Sequence, residues 1–180
     1  MELKKNAFVF TLSLLLMSNA PIRFHQDINS QQYVFKAAFL FRFIEYIEWK
    51  KNSKSATFNF AVLGHSPITE QMLIIAAEEK INKKKIKVAE YETIDEPDSY
   101  NILFVSKNSP VPIEDVVSKF AGKPVLIVAE KEGYASKGAH INFFISDNKL
   151  KFEINQKAAS KAGIKISSQL LRHAVIVNYE

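Results

Sequence analysis

The sequence predicts a single α/β domain, in which a mostly parallel or mixed sheet is flanked by helices and carries an antiparallel hairpin near the C-terminus. Three observations predict this fold. Residues 60–63, 102–105 and 125–128 are continuous apolar runs, which are typical of strands covered on both faces. Helical segments separate these runs, as parallel strands require. Residues 150–155 alternate apolar and polar side chains, which indicates a strand with one face in water.

The composition narrows the classes of function. The chain has 180 residues, 47% hydrophobic and 24% charged, as is ordinary for one globular domain. It contains no cysteine, which excludes thiolate zinc sites, iron–sulfur clusters, thiol nucleophiles and disulfides within the chain. The sequence matches neither common glycine-rich phosphate loop. The formal net charge of +5 is too mild to identify a partner. We therefore expect no cofactor.

The first 20 residues predict a secretion signal. Lys4 and Lys5 precede an apolar stretch, residues 7–17, and small residues lead to Ala20, as a signal peptidase site requires. The stretch is shorter than the roughly 20 residues that cross a bilayer. We expect a cleaved signal at 1–20 and one domain at 21–180, periplasmic and without a transmembrane segment. Two alternatives stay open, namely cleavage downstream, before Tyr33, and a buried N-terminal helix.

Residues 33–49 predict an aromatic helix. Of these 17 residues, 13 are apolar and seven are aromatic. On a helical period, Arg42, Glu45 and Glu48 fall on one side, whereas Lys36 lies elsewhere and apolar residues cover most of the remaining circumference. One neighbouring sheet cannot bury so wide an apolar surface.

The middle of the chain alternates strands with helices. Strands are predicted at 57–63, 86–91, 102–105 and 125–128, and helices at 66–79 and 109–121. Ser66 and Pro67 suit the cap and first turn of the first of these helices. Gly122 suits the position just after the end of the second. This order of elements is typical of a largely parallel sheet.

The pattern changes in the last third of the chain. Strands at 141–145 and 150–154 flank Asp147 and Asn148, a pair that tolerates positive φ and so suits a tight hairpin turn. We expect this hairpin to form an antiparallel edge of the sheet. Two further helices are predicted, at 156–162 and at 168–177, and Gly163 suits the end of the first.

Catalytic groups find little support in the sequence. The four histidines, His25, His65, His140 and His173, show no metal-binding spacing, and helix capping explains Ser66 and Ser109 without a nucleophile motif. A hydrolase would rest only on scattered serine and histidine. His65 and Ser106 follow predicted strands, where open α/β sheets often bind ligands, so solute binding stays open. We expect no enzyme.

The lysine-rich segment at 80–87 is the strongest nucleic-acid signal in the chain, since clustered lysines bind phosphates. The aromatic residues lie elsewhere, however, and lysines often protect an exposed sheet edge. We therefore interpret this segment as a solvated edge and expect no nucleic acid.

Two stretches together resemble the YfiR family of exported bacterial proteins, which includes the HmsC members. The first stretch is Lys36-Ala37-Ala38-Phe39-Leu40, continued by Phe43 and Glu48-Trp49. The second is longer and consists, in order, of Gly133-Tyr134-Ala135, Gly138, Ile141-Asn142-Phe143, Phe152-Glu153-Ile154-Asn155, Ala158-Ala159, Ala162-Gly163, Ile166-Ser167-Ser168 and Leu170-Leu171. The resemblance covers nearly all of residues 33–177. Lys50 stands where the family commonly has proline.

The resemblance implies a small periplasmic α/β protein that binds the periplasmic sensory domain of an inner-membrane diguanylate cyclase, or another sensor protein, and restrains it. Less cyclic-di-GMP and less biofilm would follow. Some relatives carry disulfides, and the lack of cysteine here excludes a redox switch based on them. The alternative function is a periplasmic solute- or cell-wall-fragment-binding protein.

The aromatic helix supplies the candidate binding surface. We predict that Phe39, Phe43, Tyr46 and Trp49 form a surface for a partner or for a second copy of the chain, because aromatic residues are enriched at interfaces. The competing interpretation is that the C-terminal helix buries the excess apolar area with Leu170, Leu171 and Ala174.

Export is directly testable. We expect the protein recovered from the periplasm to lack residues 1–20, because the signal should be cleaved near Ala20. Intact-mass measurement checks this, and a cytoplasmic product that retains Met1 to Ala20 would contradict it.

Overall fold

The structure, a computed structural model, describes residues 25–49, 55–95 and 100–177. The predicted signal at 1–20 lies outside the described residues. The predicted fold class is confirmed. A largely parallel sheet of eight strands has helices on both faces, and a separate antiparallel sheet has two strands.

Five helices and ten strands make up the described part of the chain. The helices are α1 (His25–Phe43), α2 (Ile68–Glu78), α3 (Ile113–Lys119), α4 (Gln156–Lys161) and α5 (Ser168–Leu171). The strands are β1 (Ile47–Trp49), β2 (Thr57–Leu63), β3 (Lys80–Ile81), β4 (Lys84–Tyr91), β5 (Ile102–Val105), β6 (Leu126–Ala129), β7 (Ile141–Ser146), β8 (Lys149–Ile154), β9 (Ile164–Ile166) and β10 (Val175–Ile176).

The large sheet has the strand order β10-β8-β7-β6-β5-β2-β4-β3. The five neighbouring strands β4, β2, β5, β6 and β7 are parallel. Numbered along the chain, these five stand in the order 2-1-3-4-5, which is the doubly wound order of flavodoxin-like folds. In such sheets the chain changes direction beside the first strand, and ligands often bind at the carboxyl end of that switch point. Here the switch point lies between β2 and β5.

The strands of the parallel sheet bury both faces. In β2, Phe60 and Val62 belong to one core cluster, whereas Ala61 and Leu63 belong to the other. The first cluster contains residues of α1, α2, α4 and α5, and the second contains residues of α3. Burial on both faces explains why these strands are apolar at successive positions.

The predicted hairpin is confirmed, but its place in the sheet differs from the prediction. β7 and β8 pair antiparallel, and Asp147 and Asn148 form the turn with φ of 53° and 57°, as a two-residue turn of this kind requires. The hairpin was expected at the edge, yet β10 pairs with the outer side of β8. β10 occupies residues for which a helix was predicted.

A C-terminal helix was predicted at 168–177, and the predicted length was wrong. α5 ends at Leu171, and Val175 and Ile176 continue as a strand. Branching at Cβ favours extended backbone at these last positions, and pairing with β8 provides hydrogen-bond partners. Leu170 is still buried in the first core cluster, and Leu171 and Ala174 pack against it.

The aromatic helix also ends earlier than predicted. α1 stops at Phe43, a single 3₁₀ turn covers Ile44–Tyr46, and β1 follows. In β1, Ile47 is buried, Glu48 is exposed and Trp49 is partly buried, so the side chains alternate as in a strand. The strand forms because β9 pairs with it, joining Ile47 to Ile166, a partner that local sequence periodicity cannot show.

The basic segment lies at an edge of the sheet, as predicted, and it forms a hairpin there, which was not predicted. β3 and β4 pair antiparallel at the end of the sheet. Asn82 and Lys83 form the turn with positive φ. Ile81 and Ile86 are buried, whereas Lys85 and Lys87 are exposed. The lysines therefore lie on the solvent side of a sheet edge, where charge discourages pairing with another chain.

One titratable side chain lies deep beside the second core cluster. His140 precedes β7 and is 4% exposed. Its backbone N–H donates to the Ile127 carbonyl at 2.9 Å, and its ring Nδ1 accepts from the Ile127 N–H at 3.1 Å. Burial lowers the pKa of His140 to about 4. The ring is therefore neutral in the folded protein near pH 7.

Stability should fall in mild acid because of His140. His140 binds a proton near pH 6.5 in the unfolded chain but only near pH 4 in the folded chain. The contribution of His140 to the free energy of unfolding is therefore complete above pH 6.5 and is lost between pH 6.5 and pH 4. The loss is on the order of 3 kcal/mol. Chemical unfolding at several pH values measures it. His140→Asn, whose Oδ1 can accept from Ile127, should show a shallower dependence, and equal slopes would contradict the assignment.

Candidate functional site

The carboxyl ends of β2, β4, β5 and β6 lie side by side along one edge of the sheet. This carboxyl-terminal edge runs across the strands and is distinct from the outer strands β3 and β10. Gly64 follows β2 with φ +77°, and a Cβ there would lie 2.6 Å from the Ser109 Cα. Only glycine lets the two loops approach so closely. Just beyond it, the Ser106 hydroxyl donates to the His65 carbonyl at 3.0 Å. His65 and Ser106 are thus brought together across the switch point, as the solute-binding alternative requires.

His65 is tied to the neighbouring strand rather than aimed into a cleft. Its ring Nδ1 lies 3.0 Å from Glu90 Oε1, and the imidazole is 82% exposed. Thr69 also donates to Glu90, at 2.5 Å. Desolvation raises the pKa of Glu90, but hydrogen bonds from Thr69, His65 and the Ser66 backbone outweigh it and lower the pKa overall. Among the described residues, no group of three or more histidines and carboxylates could hold a metal ion.

The centre of this edge is occupied by a buried ion pair. Lys36 of α1 places Nζ 2.5 Å from Glu130 Oε2, and the two side chains are 9% and 0% exposed. The Tyr33 hydroxyl donates to Glu130 Oε1 at 3.2 Å, and the Lys107 backbone N–H donates to the same oxygen, also at 3.2 Å. We call Tyr33, Lys36, Lys107 and Glu130 the edge cluster.

The edge cluster is polar but internally satisfied. Lys36 Nζ also lies 4.3 Å from the centre of the Tyr33 ring, where a cation is attracted to the π face. Desolvation, with the charge of Glu130 and its hydrogen bond as smaller causes, raises the pKa of Tyr33 to about 12. Ser66 interacts with the same hydroxyl. α1 therefore fills the position where an open α/β sheet usually binds its ligand.

Sequence reasoning missed the edge cluster. Lys36 lies on the apolar side of α1, away from Arg42, Glu45 and Glu48, and a buried lysine needs a carboxylate partner. Glu130 directly follows the wholly buried strand β6. These two signals, a lysine on a core face and a carboxylate at a strand end, identify the pair only when they are considered together.

The four aromatic residues predicted as a surface do not share one. Phe43 is buried at 4% exposure, and Tyr46 and Trp49 pack partly buried against the same core. Trp49 meets the Phe58 ring edge-on at 5.8 Å. Phe39 alone is exposed, at 37%, and its ring stacks on Phe43 at 6.0 Å.

The exposed apolar surface of α1 is formed by a different set of residues from the four that were predicted. Val34 and Phe35 are 48% and 52% exposed, and with Phe39 they occupy the outer side of α1, opposite the buried residues. The neighbouring helix α2 exposes Leu73 and Ile74, at 51% and 57%. We call Val34, Phe35 and Phe39 of α1 the outer apolar face. The expectation that one sheet cannot bury the aromatic helix is confirmed.

These features define a small doubly wound α/β protein whose helix α1 covers the carboxyl-terminal edge of the sheet and exposes apolar side chains on its outer side. The chain belongs to the YfiR/HmsC-like family, whose model matches residues 33–175. The match begins at Tyr33 of the edge cluster and includes Glu130, the outer apolar face and β9. No curated protein matches the chain. In the described segments, no helix is long and apolar enough to cross a membrane.

Removing one partner of the buried pair should strongly destabilise the fold. Lys36→Met leaves the Glu130 carboxylate buried without its cation, and such changes cost about 3–5 kcal/mol. Adding Glu130→Gln removes that charge and keeps an oxygen for Tyr33 and Lys107, so the double variant should regain most of the loss. Denaturant unfolding of the single and double variants measures both effects.

The matched control for this cycle is Lys165→Met. Lys165 pairs with Glu48 at 3.3 Å, but both side chains are more than 70% exposed, and such pairs contribute little. A double variant no more stable than Lys36→Met would show that the lysine acts through packing of its chain rather than through its charge.

Proposed function

We propose that the chain is a periplasmic regulatory protein that binds the periplasmic sensory domain of an inner-membrane diguanylate cyclase, or of another membrane sensor, and restrains its output. The observation that carries this proposal is membership of the YfiR/HmsC-like family over residues 33–175. The predicted export signal at 1–20 supports the compartment. Lower cyclic-di-GMP and reduced biofilm are the expected consequences, and the chain acts by binding rather than by catalysis.

The outer apolar face is the docking surface in this proposal. Val34, Phe35 and Phe39 lie on the outer side of α1, and a large part of each side chain is exposed. Exposing apolar surface to water is unfavourable, and a partner that covers these side chains would remove that cost. Aromatic side chains at the centre of an interface often dominate its binding energy. A helix that presents such residues from a rigid sheet can meet a partner without rearranging.

The edge cluster argues against solute binding at the switch point. A solute there would have to displace Tyr33 and Lys36 from Glu130 and leave that carboxylate without its donors. Breaking a buried charged network costs several kcal/mol, and a solute would have to offset this cost from its own binding energy. We therefore place the regulatory interaction on the outside of α1.

Truncating the exposed aromatics should weaken partner binding without unfolding the protein. Phe35→Ala and Phe39→Ala should each lower affinity for the sensory domain by about 2 kcal/mol or more if they are central contacts. The melting temperature should change little for Phe35→Ala and should fall further for Phe39→Ala, because the Phe39 ring also stacks on Phe43. Phe43→Ala should instead cost about 3–5 kcal/mol of stability. Binding of the purified domain by interferometry, with thermal unfolding in parallel, separates the two effects.

Ile145→Ala is the matched control, because Ile145 is 47% exposed and belongs to β7 rather than to α1. It should bind as well as the unchanged protein. In cells, Phe35→Ala should raise cyclic-di-GMP relative to Ile145→Ala. Unchanged affinity in both α1 variants would place the binding surface elsewhere, and loss of self-association alone would indicate a homodimer face.

A further inference from the structure

A cavity of about 340 Å³ opens at the end of the sheet opposite the edge cluster. It lies where β6 and β7 begin, between the last turn of α3 and the helix α4. Its lining residues are Val117, Phe120, Ala121, Gly122, Ile127, Ser136, Lys137, Gly138, His140, Asn155, Lys157, Ala158, Lys161 and Ala162. The volume falls in the range of small-molecule sites.

The floor of the cavity combines apolar side chains with one buried hydrogen-bond donor. Phe120 and Ile127 are buried core residues. The His140 ring, only 4% exposed, uses Nδ1 to accept from the Ile127 N–H. The proton of the neutral ring is therefore on Nε2. Within the described segments, no protein group accepts from Nε2, so this donor is left for an occupant of the cavity.

The other buried polar group of the lining is already satisfied. Asn155 Nδ2 donates to the Ala135 carbonyl at 2.9 Å, and its Oδ1 accepts from the Ala158 N–H at 2.9 Å. Ser136 donates to the Gly133 carbonyl. His140 is therefore the buried polar side chain of the lining that can still form a hydrogen bond to an occupant and orient it.

The mouth of the cavity is positively charged. Lys157 and Lys161 stand four residues apart on α4, so they share one side of the helix, and both are exposed residues of the lining. Neither forms an ion pair with a described residue. Lys137 lies 2.8 Å from Glu114. None of the described residues that line the cavity is a carboxylate, so the charge at the mouth attracts anions.

We propose that this cavity binds a small organic anion whose apolar body rests on Phe120, whose charged group meets Lys157 and Lys161, and whose second acceptor receives the Nε2 proton of His140. Each part of this description follows from one part of the lining. An inorganic anion would leave the apolar floor unfilled, and a neutral apolar molecule would use neither the lysines nor His140. The proposal is independent of the regulatory function, because it concerns the opposite end of the sheet.

The test uses three probes that differ by one group. 4-Hydroxyphenylacetate has the anionic group, the aromatic body and the second acceptor. Phenylacetate lacks the hydroxyl group, and 4-hydroxyphenylacetamide lacks the charge. Titration followed by ¹H–¹⁵N NMR of the whole mature protein should show saturable shifts at the amides of Val117, Gly138 and His140. The first probe should bind about tenfold or more tightly than the amide, because charge-assisted hydrogen bonds are the stronger ones.

Variants then assign the contacts. Lys157→Gln with Lys161→Gln should abolish most of the preference for the anion over the amide. Lys85→Gln with Lys87→Gln, two exposed lysines at the far edge of the sheet, should leave it unchanged. His140→Asn, which shortens the side chain, should remove the preference for 4-hydroxyphenylacetate over phenylacetate while the anion preference stays.

Three results would overturn the proposal. The first is no saturable binding of any probe at millimolar concentration. The second is a set of shifts centred on Phe35 and Phe39 rather than on the cavity. The third is an anion preference that survives the Lys157 and Lys161 changes, since the charge would then be recognised elsewhere.

Discussion

The carboxylate of Glu130 fixes the position of α1 on the sheet. Its side chain is fully covered, and a covered carboxylate is tolerated only when donors surround it. α1 supplies two of these donors, from Tyr33 and Lys36, and the loop after β5 supplies a third. Since the positions of Tyr33 and Lys36 set the rotation of α1, they also decide which aromatic residues of that helix are buried. Phe43 is turned into the core, and Phe35 is turned to water.

Much of the fold could be predicted from local patterns, because each buried strand is apolar at successive positions. β2 and β5 have the predicted bounds, and the turn at Asp147 and Asn148 has the predicted backbone. The errors lie where distant partners decide the local structure. Trp49 is in a strand because β9 pairs with β1, and Val175 is in a strand because β8 offers an open side.

The candidate sites were harder to predict than the fold. The helical periodicity of residues 33–49 correctly indicated more apolar surface than one sheet can bury. It could not show which aromatic side chains face outward, because the rotation of α1 depends on the contact between Lys36 and Glu130. His140 had no motif around it. Its significance comes from the backbone of Ile127, whose N–H donates to Nδ1 and leaves Nε2 without a partner among the described residues, on a side chain that lines the cavity.

The small sheet of β1 and β9 joins residues more than a hundred positions apart, as the contact of Lys165 with Glu48 also does. Phe39 and Phe43 likewise contact Phe152, and Lys36 pairs with Glu130. These partners are made long after α1. An N-terminal helix with such late partners cannot dock while the chain is being made, and the cost of closing long loops slows its docking afterwards. During synthesis the chain therefore passes through a long interval in which its most aromatic segment is unprotected. This order of events leaves the aromatic helix exposed until the last third of the chain has been made, and it raises the need for holding chaperones.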